Sequence, residues 1–146
     1  MSEEQVREEK RPIQKVKTES RGDYLKSIYV FSRMSDGSIR SSELAEYMGF
    51  SKASVCRMMG IMKKDGLLTM DDDFAIRLTE KGEEEARKVY QKYCFFEQLL
   101  MEAGVSAEMA CDEACRLEHM LSDESFFKLK AFFESYKGEN AQPAAV

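Results

Sequence analysis

The chain has 146 residues, of which 34% are charged and 43% hydrophobic, and its formal net charge is −5. This length suits one domain, or two very small ones that share a core. No apolar run approaches the length of a membrane span and no signal-peptide pattern occurs at the N-terminus, so we expect a cytoplasmic protein with no membrane partner. The four cysteines should then stay reduced.

The charge is unevenly distributed along the chain. Residues 1–66 hold 13 Lys and Arg against 10 Asp and Glu, whereas residues 67–146 hold 9 against 17. The negative total argues against a nucleic-acid binder that is basic throughout. A basic half joined to an acidic half is typical of a protein whose first part contacts DNA, although the same split also fits chance.

Three helices are predicted in the first part of the chain. An apolar stripe at helical spacing predicts a helix over 22–34. Ser42 is expected to cap a second, short helix that Gly49 ends. Ser51 is expected to cap a third helix that ends at Gly66.

A hairpin and three further helices are predicted after Gly66. The hairpin has strands at 67–70 and 74–78, joined by an acidic turn. A long helix begins at Thr79, with acidic residues in its first turns as the helix dipole prefers, and ends at Gly104. Ser106 and Ser122 are expected to open two more helices, at about 107–121 and 123–136.

The order of these elements predicts a mainly α fold, in which an N-terminal winged helix-turn-helix precedes a three-helix region. We therefore predict a winged helix-turn-helix DNA-binding domain at 19–79 and a helical domain at 80–137. A flexible arm is expected at 1–18 and a tail at 138–146, since both segments hold few large apolar residues.

The third predicted helix begins with small, hydroxylated and basic residues, which suit a helix that enters the major groove of DNA. Phosphate contacts are expected from the start of the preceding helix, and one contact from the wing. Any single residue also fits a helix cap or a solvated surface, but their combination with the hairpin favours DNA binding. The candidates are Arg40, Ser41, Ser51, Lys52, Ala53, Ser54, Arg57 and Arg77.

The stretch EACRLEHMLS at 113–122 contains the single histidine of the chain. If this stretch is helical, Cys115, Glu118 and His119 lie within about 60° of one another around the helix axis. That spacing suits a metal ion, a hydrogen-bonded Cys–His pair or a purely structural role, and the spacing alone does not choose among them.

Together with DYLKSIY, SSELAEYMGFSKASVCRMM, GLL and RLTEKG, this stretch resembles the DtxR/MntR family of metal-dependent bacterial repressors, from about Asp23 to Ser122. The resemblance implies a homodimer that binds a divalent metal and a palindromic operator in double-stranded DNA. Such a dimer would repress metal-uptake genes. The three-helix region would then be a metal-binding and dimerisation domain. Because the chain stops after this region, it is similar to the shorter, manganese-type architecture of two domains.

The resemblance places the primary metal between the first and fifth helices. The family positions hold Asp23, Cys115, Glu118 and His119 here. Asp23 matches the manganese branch, whereas Cys115 matches the iron branch. This mixed set suits Fe2+ or Mn2+ as the cofactor, with Zn2+ and Co2+ as alternatives.

A second metal site is implied only in altered form. Glu97 matches a family ligand, but Tyr93 and Cys111 stand where family members have histidines. Lys26 stands where the manganese branch has a glutamate, and an ammonium group cannot ligate a cation. We therefore expect at most an ancillary metal, held by Tyr93, Glu97 and Cys111.

Three other functions were weighed against metal control. A winged-helix regulator that has lost strict metal control would respond through cysteine redox, using Cys111 and Cys115 one turn apart, or through another signal. A winged helix that binds proteins would show no salt-dependent affinity for duplex DNA. An enzyme with Cys115 and His119 as nucleophile and base is not expected, since no third orienting residue and no glycine-rich loop accompany them.

Overall fold

The computed structural model describes residues 20–139, and the predicted arm at 1–18 lies outside the described residues. The described chain forms six helices and three short strands. They are α1 (Arg21–Arg33), β1 (Ile39–Arg40), α2 (Ser41–Met48), α3 (Lys52–Lys64), β2 (Leu68–Met70), β3 (Ala75–Leu78), α4 (Glu80–Glu102), α5 (Ala107–Leu117) and α6 (Asp123–Glu139). This order confirms the predicted mainly α fold, with a winged helix-turn-helix followed by three helices.

Most helix starts follow from local capping. The Ser51 side chain accepts a hydrogen bond from the backbone N–H three residues later, as predicted. Thr79, predicted to begin the long helix, is the N-cap of α4 and accepts in the same way, as does Ser20 for α1. The predicted cap at Ser42 is wrong, because α2 begins at Ser41 and its N-cap is Arg40, whose side chain makes no capping hydrogen bond. Arg40 is still paired in β1, so the chain passes from strand to helix without a loop.

The sheet has the strand order β1-β3-β2, and all of its pairs are antiparallel. The hairpin of β2 and β3 was predicted, and both strands begin one residue later than expected. β1 was not predicted. Its two residues pair with Ile76 and Ala75 of β3, so the strand exists only through this tertiary contact.

The main hydrophobic core lies beneath the winged helix, with α1 at its centre. Tyr24 and Ile28 of α1 are fully buried against residues of α2, α3 and the sheet, including Leu44, Val55 and Ile76. Fully burying side chains of this size stabilises the fold by about 1.5–3 kcal/mol each. A second, smaller cluster joins α4, α5 and α6 through Phe96, Ala114 and Phe126.

The last two helices differ in length from the prediction. α5 ends at Leu117 rather than near 121, because the following hydrogen bonds tighten to i→i−3: His119 N–H donates to Arg116 O (3.3 Å) and Met120 N–H to Leu117 O (3.0 Å). α6 continues to Glu139, past the predicted end at 136. Within residues 20–139, no helix has both the length and the apolar character needed to cross a membrane.

Candidate metal centre and DNA-reading surface

A buried polar cluster lies where the first turn of α1 meets the end of α5. We call it the α1–α5 junction and define it by Asp23, Lys26, Cys115, Glu118 and His119. Its two elements belong to the two predicted domains, since α1 lies in the winged helix and α5 in the three-helix region. The predicted primary metal residues are thus brought to one place, although the roles assigned to them stay predictions.

Asp23 is oriented by the cap of α1. Its side chain is 1% exposed, and the Ser20 hydroxyl donates to Asp23 Oδ2 over 2.7 Å. The other carboxylate oxygen, Oδ1, lies 3.0 Å from His119 Nε2. The His119 ring is 31% exposed, so it forms the solvent side of the junction. Carboxylate oxygens and imidazole nitrogens are both common ligands of divalent metals.

Asp23, Glu118 and His119 each offer a ligand atom, and these three atoms lie within 4.8 Å of one another. Glu118 is 3% exposed, and its Oε2 is a buried oxygen with no hydrogen-bond partner among the described residues. A buried carboxylate oxygen without a partner is costly unless a further donor or a cation satisfies it. These residues therefore fit a divalent cation.

Lys26 lies inside the same junction and is fully buried. Its Nζ donates to Glu118 Oε1 (2.8 Å) and to Cys115 Sγ (3.3 Å), and lies 3.9 Å from Asp23 Oδ1. In the sequence analysis, Lys26 stood in place of a ligand of the second metal site. The structure instead places it among the predicted ligands of the primary site. Cys115 faces this ammonium and lies outside the three-residue ligand group.

Burial and neighbouring charges set the ionisation of the junction. Burial raises the pKa of Glu118 to about 8, against the Lys26 ammonium, which lowers it. Burial opposes the charge on Lys26, but Glu118, Cys115 and Asp23 together raise its pKa above the ordinary value. A hydrogen bond with Cys111, together with burial, raises the pKa of Cys115, which disfavours the thiolate that oxidation requires. The redox alternative therefore gains no support here.

The residues of the predicted ancillary site also meet, but through hydrogen bonds. The Tyr93 hydroxyl forms hydrogen bonds with Glu97 and with Cys111 Sγ, the latter over 3.1 Å. Burial and these partners raise the pKa of Tyr93, so its hydroxyl keeps its proton. The Tyr93 ring lies 4.4 Å from Lys26 Nζ, which connects this group to the α1–α5 junction.

Two neighbours of the junction were missed in the sequence analysis. Ser20 contacts Asp23, and its Oγ lies 3.5 Å from His119 Nε2. The Ser-x-x-Asp spacing at an apolar helix start was a usable signal for this cap. Gly22 gives the His119 ring room, because a Cβ at Gly22 would lie 3.3 Å from His119 Cε1. No local pattern identifies that contact.

The predicted DNA-reading residues of α3 share one exposed face. Ser51, Lys52, Ala53 and Arg57 are exposed, and Ser54 is half-buried. The Ser51 hydroxyl accepts from the backbone N–H of Ser54 and also donates to its hydroxyl, both over 3.1 Å. Ser51 therefore serves as a cap, while the basic side chains remain available to phosphates.

The other three candidates differ in accessibility. Arg40 and Arg77 are exposed, and Arg77 Nη1 donates to the carbonyl of Asp36 over 3.4 Å, which holds the Arg77 side chain against the turn between α1 and β1. Ser41 is 8% exposed, its hydroxyl is buried, and its backbone N–H donates to Phe74 O. The Ser41 side chain is thus not at the surface where a phosphate would lie.

Two family models match successive parts of the chain. "Iron dependent repressor, N-terminal DNA binding domain" matches residues 17–75, and "Iron dependent repressor, metal binding and dimerisation domain" matches residues 79–139. The gap between the two matches, residues 76–78, lies within β3, just before α4 begins.

Proteins of similar sequence come from archaea and bacteria. An uncharacterized HTH-type transcriptional regulator of Methanocaldococcus jannaschii is 37% identical over 79% of this chain and 93% of its own length. The transcriptional regulator MntR of Lysinibacillus sphaericus is 30% identical over 77% of this chain and 80% of its own. The chain spans 47% and 45% of two corynebacterial diphtheria toxin repressors.

The solved structure of the manganese regulator SloR has the same fold. It is 32% identical, aligns with a TM-score of 0.69, and the alignment covers 80% of this chain and 54% of the SloR chain.

Proposed function

Because this chain belongs to the iron-dependent repressor family of metal-dependent, DNA-binding regulators, we propose that it is a metal-responsive repressor that binds a palindromic operator as a homodimer and controls metal-uptake genes. The family consists of transcriptional regulators rather than enzymes. The family-model bounds support a DNA-binding domain at 19–79 followed by a metal-binding and dimerisation domain.

The metal is proposed to be held by Asp23, Glu118 and His119. The observation that carries this proposal is their common geometry: three ligand atoms within 4.8 Å, with the buried Glu118 Oε2 lacking a partner among the described residues. When bound, a divalent cation would neutralise carboxylate charge and link the two elements. The family resemblance also implies Cys115 as a ligand, but Lys26 faces its sulfur at 3.3 Å, and Cys115 is not part of the proposed set.

The junction is proposed to control DNA binding through α1. Tyr24 and Ile28 of α1 pack in the same core as Val55 of α3, so fixing Asp23 against Glu118 and His119 also fixes the recognition helix. In a dimer, this link would set the separation of the two recognition helices near one DNA turn, about 34 Å. Ligand binding would then favour the DNA-competent arrangement through its differential affinity for that state.

Fe2+ or Mn2+ is proposed as the cognate metal. Two carboxylates and an imidazole form a set of nitrogen and oxygen ligands, which suits these ions without requiring thiolate. SloR is described as a manganese regulator, and other relatives as iron-dependent repressors, which supports this pair of ions. Participation of Cys115 would instead favour Zn2+ or Co2+. The Tyr93, Glu97 and Cys111 group is proposed as ancillary at most, because its hydroxyl and sulfur already share hydrogen bonds.

DNA is proposed to contact the exposed start of α3 and the wing. Lys52 and Arg57 would contact phosphates or base edges, and Arg40 and Arg77 would contact the flanking backbone. Ser51 and Ser54 would contribute hydroxyl contacts that are compatible with their capping hydrogen bonds. The small side chain of Ala53 would allow the DNA to approach closely. Ser41 would act only by positioning Arg40, since its own side chain is buried.

The proposal is tested by fluorescence anisotropy with a palindromic duplex under reducing conditions. Mn2+, Fe2+, Co2+ and Zn2+ are titrated beside a chelated sample, and we expect duplex affinity to rise with metal. The His119→Ala variant should lose this response. Met120→Ala is the matched control, since Met120 is the next residue and is 78% exposed. Equal affinity with metal and with chelator would overturn the metal-dependent function.

A further inference from the structure

The fully buried Lys26 ammonium divides the α1–α5 junction into two sides. On one side it donates to Cys115 Sγ over 3.3 Å and lies over the Tyr93 ring at 4.4 Å. On the other side it lies 3.9 Å from Asp23 Oδ1, which faces His119 Nε2 at 3.0 Å, where the ring reaches solvent. A cation entering from solvent therefore meets Asp23 and His119 first, and Cys115 lies beyond the ammonium.

Glu118 contacts both sides of the junction through one oxygen and leaves the other without a partner among the described residues. Its Oε1 accepts from Lys26 Nζ at 2.8 Å and lies 3.4 Å from His119 Nε2, whereas Oε2 has no hydrogen-bond partner among the described residues. The carboxylate can thus keep its contact with Lys26 and still offer Oε2 to a metal. The Cys115 side chain has only one ligand atom, and the ammonium already faces it, so a metal ion that reached the sulfur would have to displace the ammonium or stand beside a like charge.

We propose that Lys26 is a specificity-determining residue, which excludes the Cys115 sulfur from the metal and leaves only nitrogen and oxygen ligands from Asp23, Glu118 and His119. This inference rests on the metal site proposed above. Its chemical consequence is a ligand set of nitrogen and oxygen atoms only, which prefers harder metal ions than a set that includes the Cys115 sulfur. Thiolate ligation favours Zn2+, Co2+ and Cd2+, whereas carboxylate ligands suit Mn2+.

Replacing Lys26 by an uncharged residue of similar length should open the sulfur to metal. In Lys26→Met, the side chain keeps its packing near Tyr93 but no longer places a charge beside Cys115. We expect the affinity for Co2+ to rise at least tenfold relative to Mn2+. Lys128→Met is the matched control, because the Lys128 side chain is 78% exposed on α6.

The experiment is a Co2+ titration followed by calorimetry and by near-ultraviolet absorption, where a thiolate bound to Co2+ gives a charge-transfer band. The wild-type chain and Lys128→Met should bind Co2+ without this band. Lys26→Met should show the band, and Lys26→Met combined with Cys115→Ser should lose it. A wild-type band that Cys115→Ser removes, or no band in Lys26→Met, would overturn the proposal.

Two further results separate this inference from the proposed function. If the wild type binds no metal but Lys26→Met binds Co2+ with the band, Lys26 does exclude metal and the metal-dependent function fails. If neither chain binds metal, both proposals fail. The Cys115→Ser variant alone keeps the test valid even if Lys26→Met does not fold. It should leave wild-type Co2+ affinity within twofold, and a tenfold loss would identify Cys115 as a ligand.

Discussion

Gly82 lies in the first turn of α4 against the backbone of Leu67, where a methyl group has no room. A Cβ at Gly82 would lie 1.8 Å from the Leu67 carbonyl oxygen, so α4 must move away from the chain before β2. That movement gives up the hydrogen bonds from Thr79 N–H to Leu67 O (3.0 Å) and from Thr79 Oγ1 to Gly66 O (2.6 Å). At about 0.5–1.5 kcal/mol per bond, with about 1 kcal/mol for the weakened cap, Gly82→Ala should lower the free energy of unfolding by about 2–4 kcal/mol.

Urea denaturation at one fixed protein concentration measures this loss. Gly60→Ala is the control, because Gly60 lies inside α3 and a Cβ there would meet nothing within 4 Å. The control should gain up to about 1 kcal/mol from the better helix propensity of alanine. A Gly82→Ala variant that unfolds within 1 kcal/mol of the wild type would refute the reasoning about this contact.

Three other predictions concern caps, DNA and pH. Ser51→Ala removes the N-cap of α3 and should lower the free energy of unfolding by about 1 kcal/mol in the same urea assay, with no change expected if the Ser51 hydroxyl is not a cap. Arg57→Ala should reduce the slope of log affinity against log salt for duplex DNA by about 1, and an unchanged slope would remove Arg57 from the interface. Burial raises the pKa of Glu118 from 4.5 to about 8. The metal-free protein therefore has the full stabilisation from protonated Glu118 below pH 4.5 and loses it as the pH rises through about 8. Glu118→Gln should flatten this pH dependence of unfolding, and identical curves would contradict the assignment.

Local chemistry made much of the fold predictable. Ser51 and Thr79 cap helices where the sequence placed them, and Gly49 adopts the left-handed conformation (φ 72°) at the end of α2. β1 escaped prediction because two residues show no periodicity, and the strand forms only by pairing with β3. The end of α5 was misplaced for a related reason, since the tightened turn carrying His119 depends on contacts with α1 rather than on local preference.

The candidate site was predictable in residue types but not in internal arrangement. Asp23, Glu118 and His119 meet as the family resemblance implied, and their roles as ligands stay a prediction. The position of Lys26 could not be predicted, because its charge excludes it as a ligand but does not indicate which carboxylates it neutralises. Only the packing of α1 against α5 shows that the ammonium faces Glu118 and Cys115.

The direct passage from β1 into α2 affects how DNA affinity can be regulated. Arg40 is at once the last residue of β1 and the N-cap of α2, and Ser41 N–H donates to Phe74 O in the hairpin turn. The wing and the helix-turn-helix are therefore joined without an intervening hinge. A signal arriving through α1 should displace them as a single rigid body and leave the contact pattern within each half-site unchanged. Among operators of one half-site spacing, regulation should then scale the affinity by the same factor, without changing which half-site sequence is preferred.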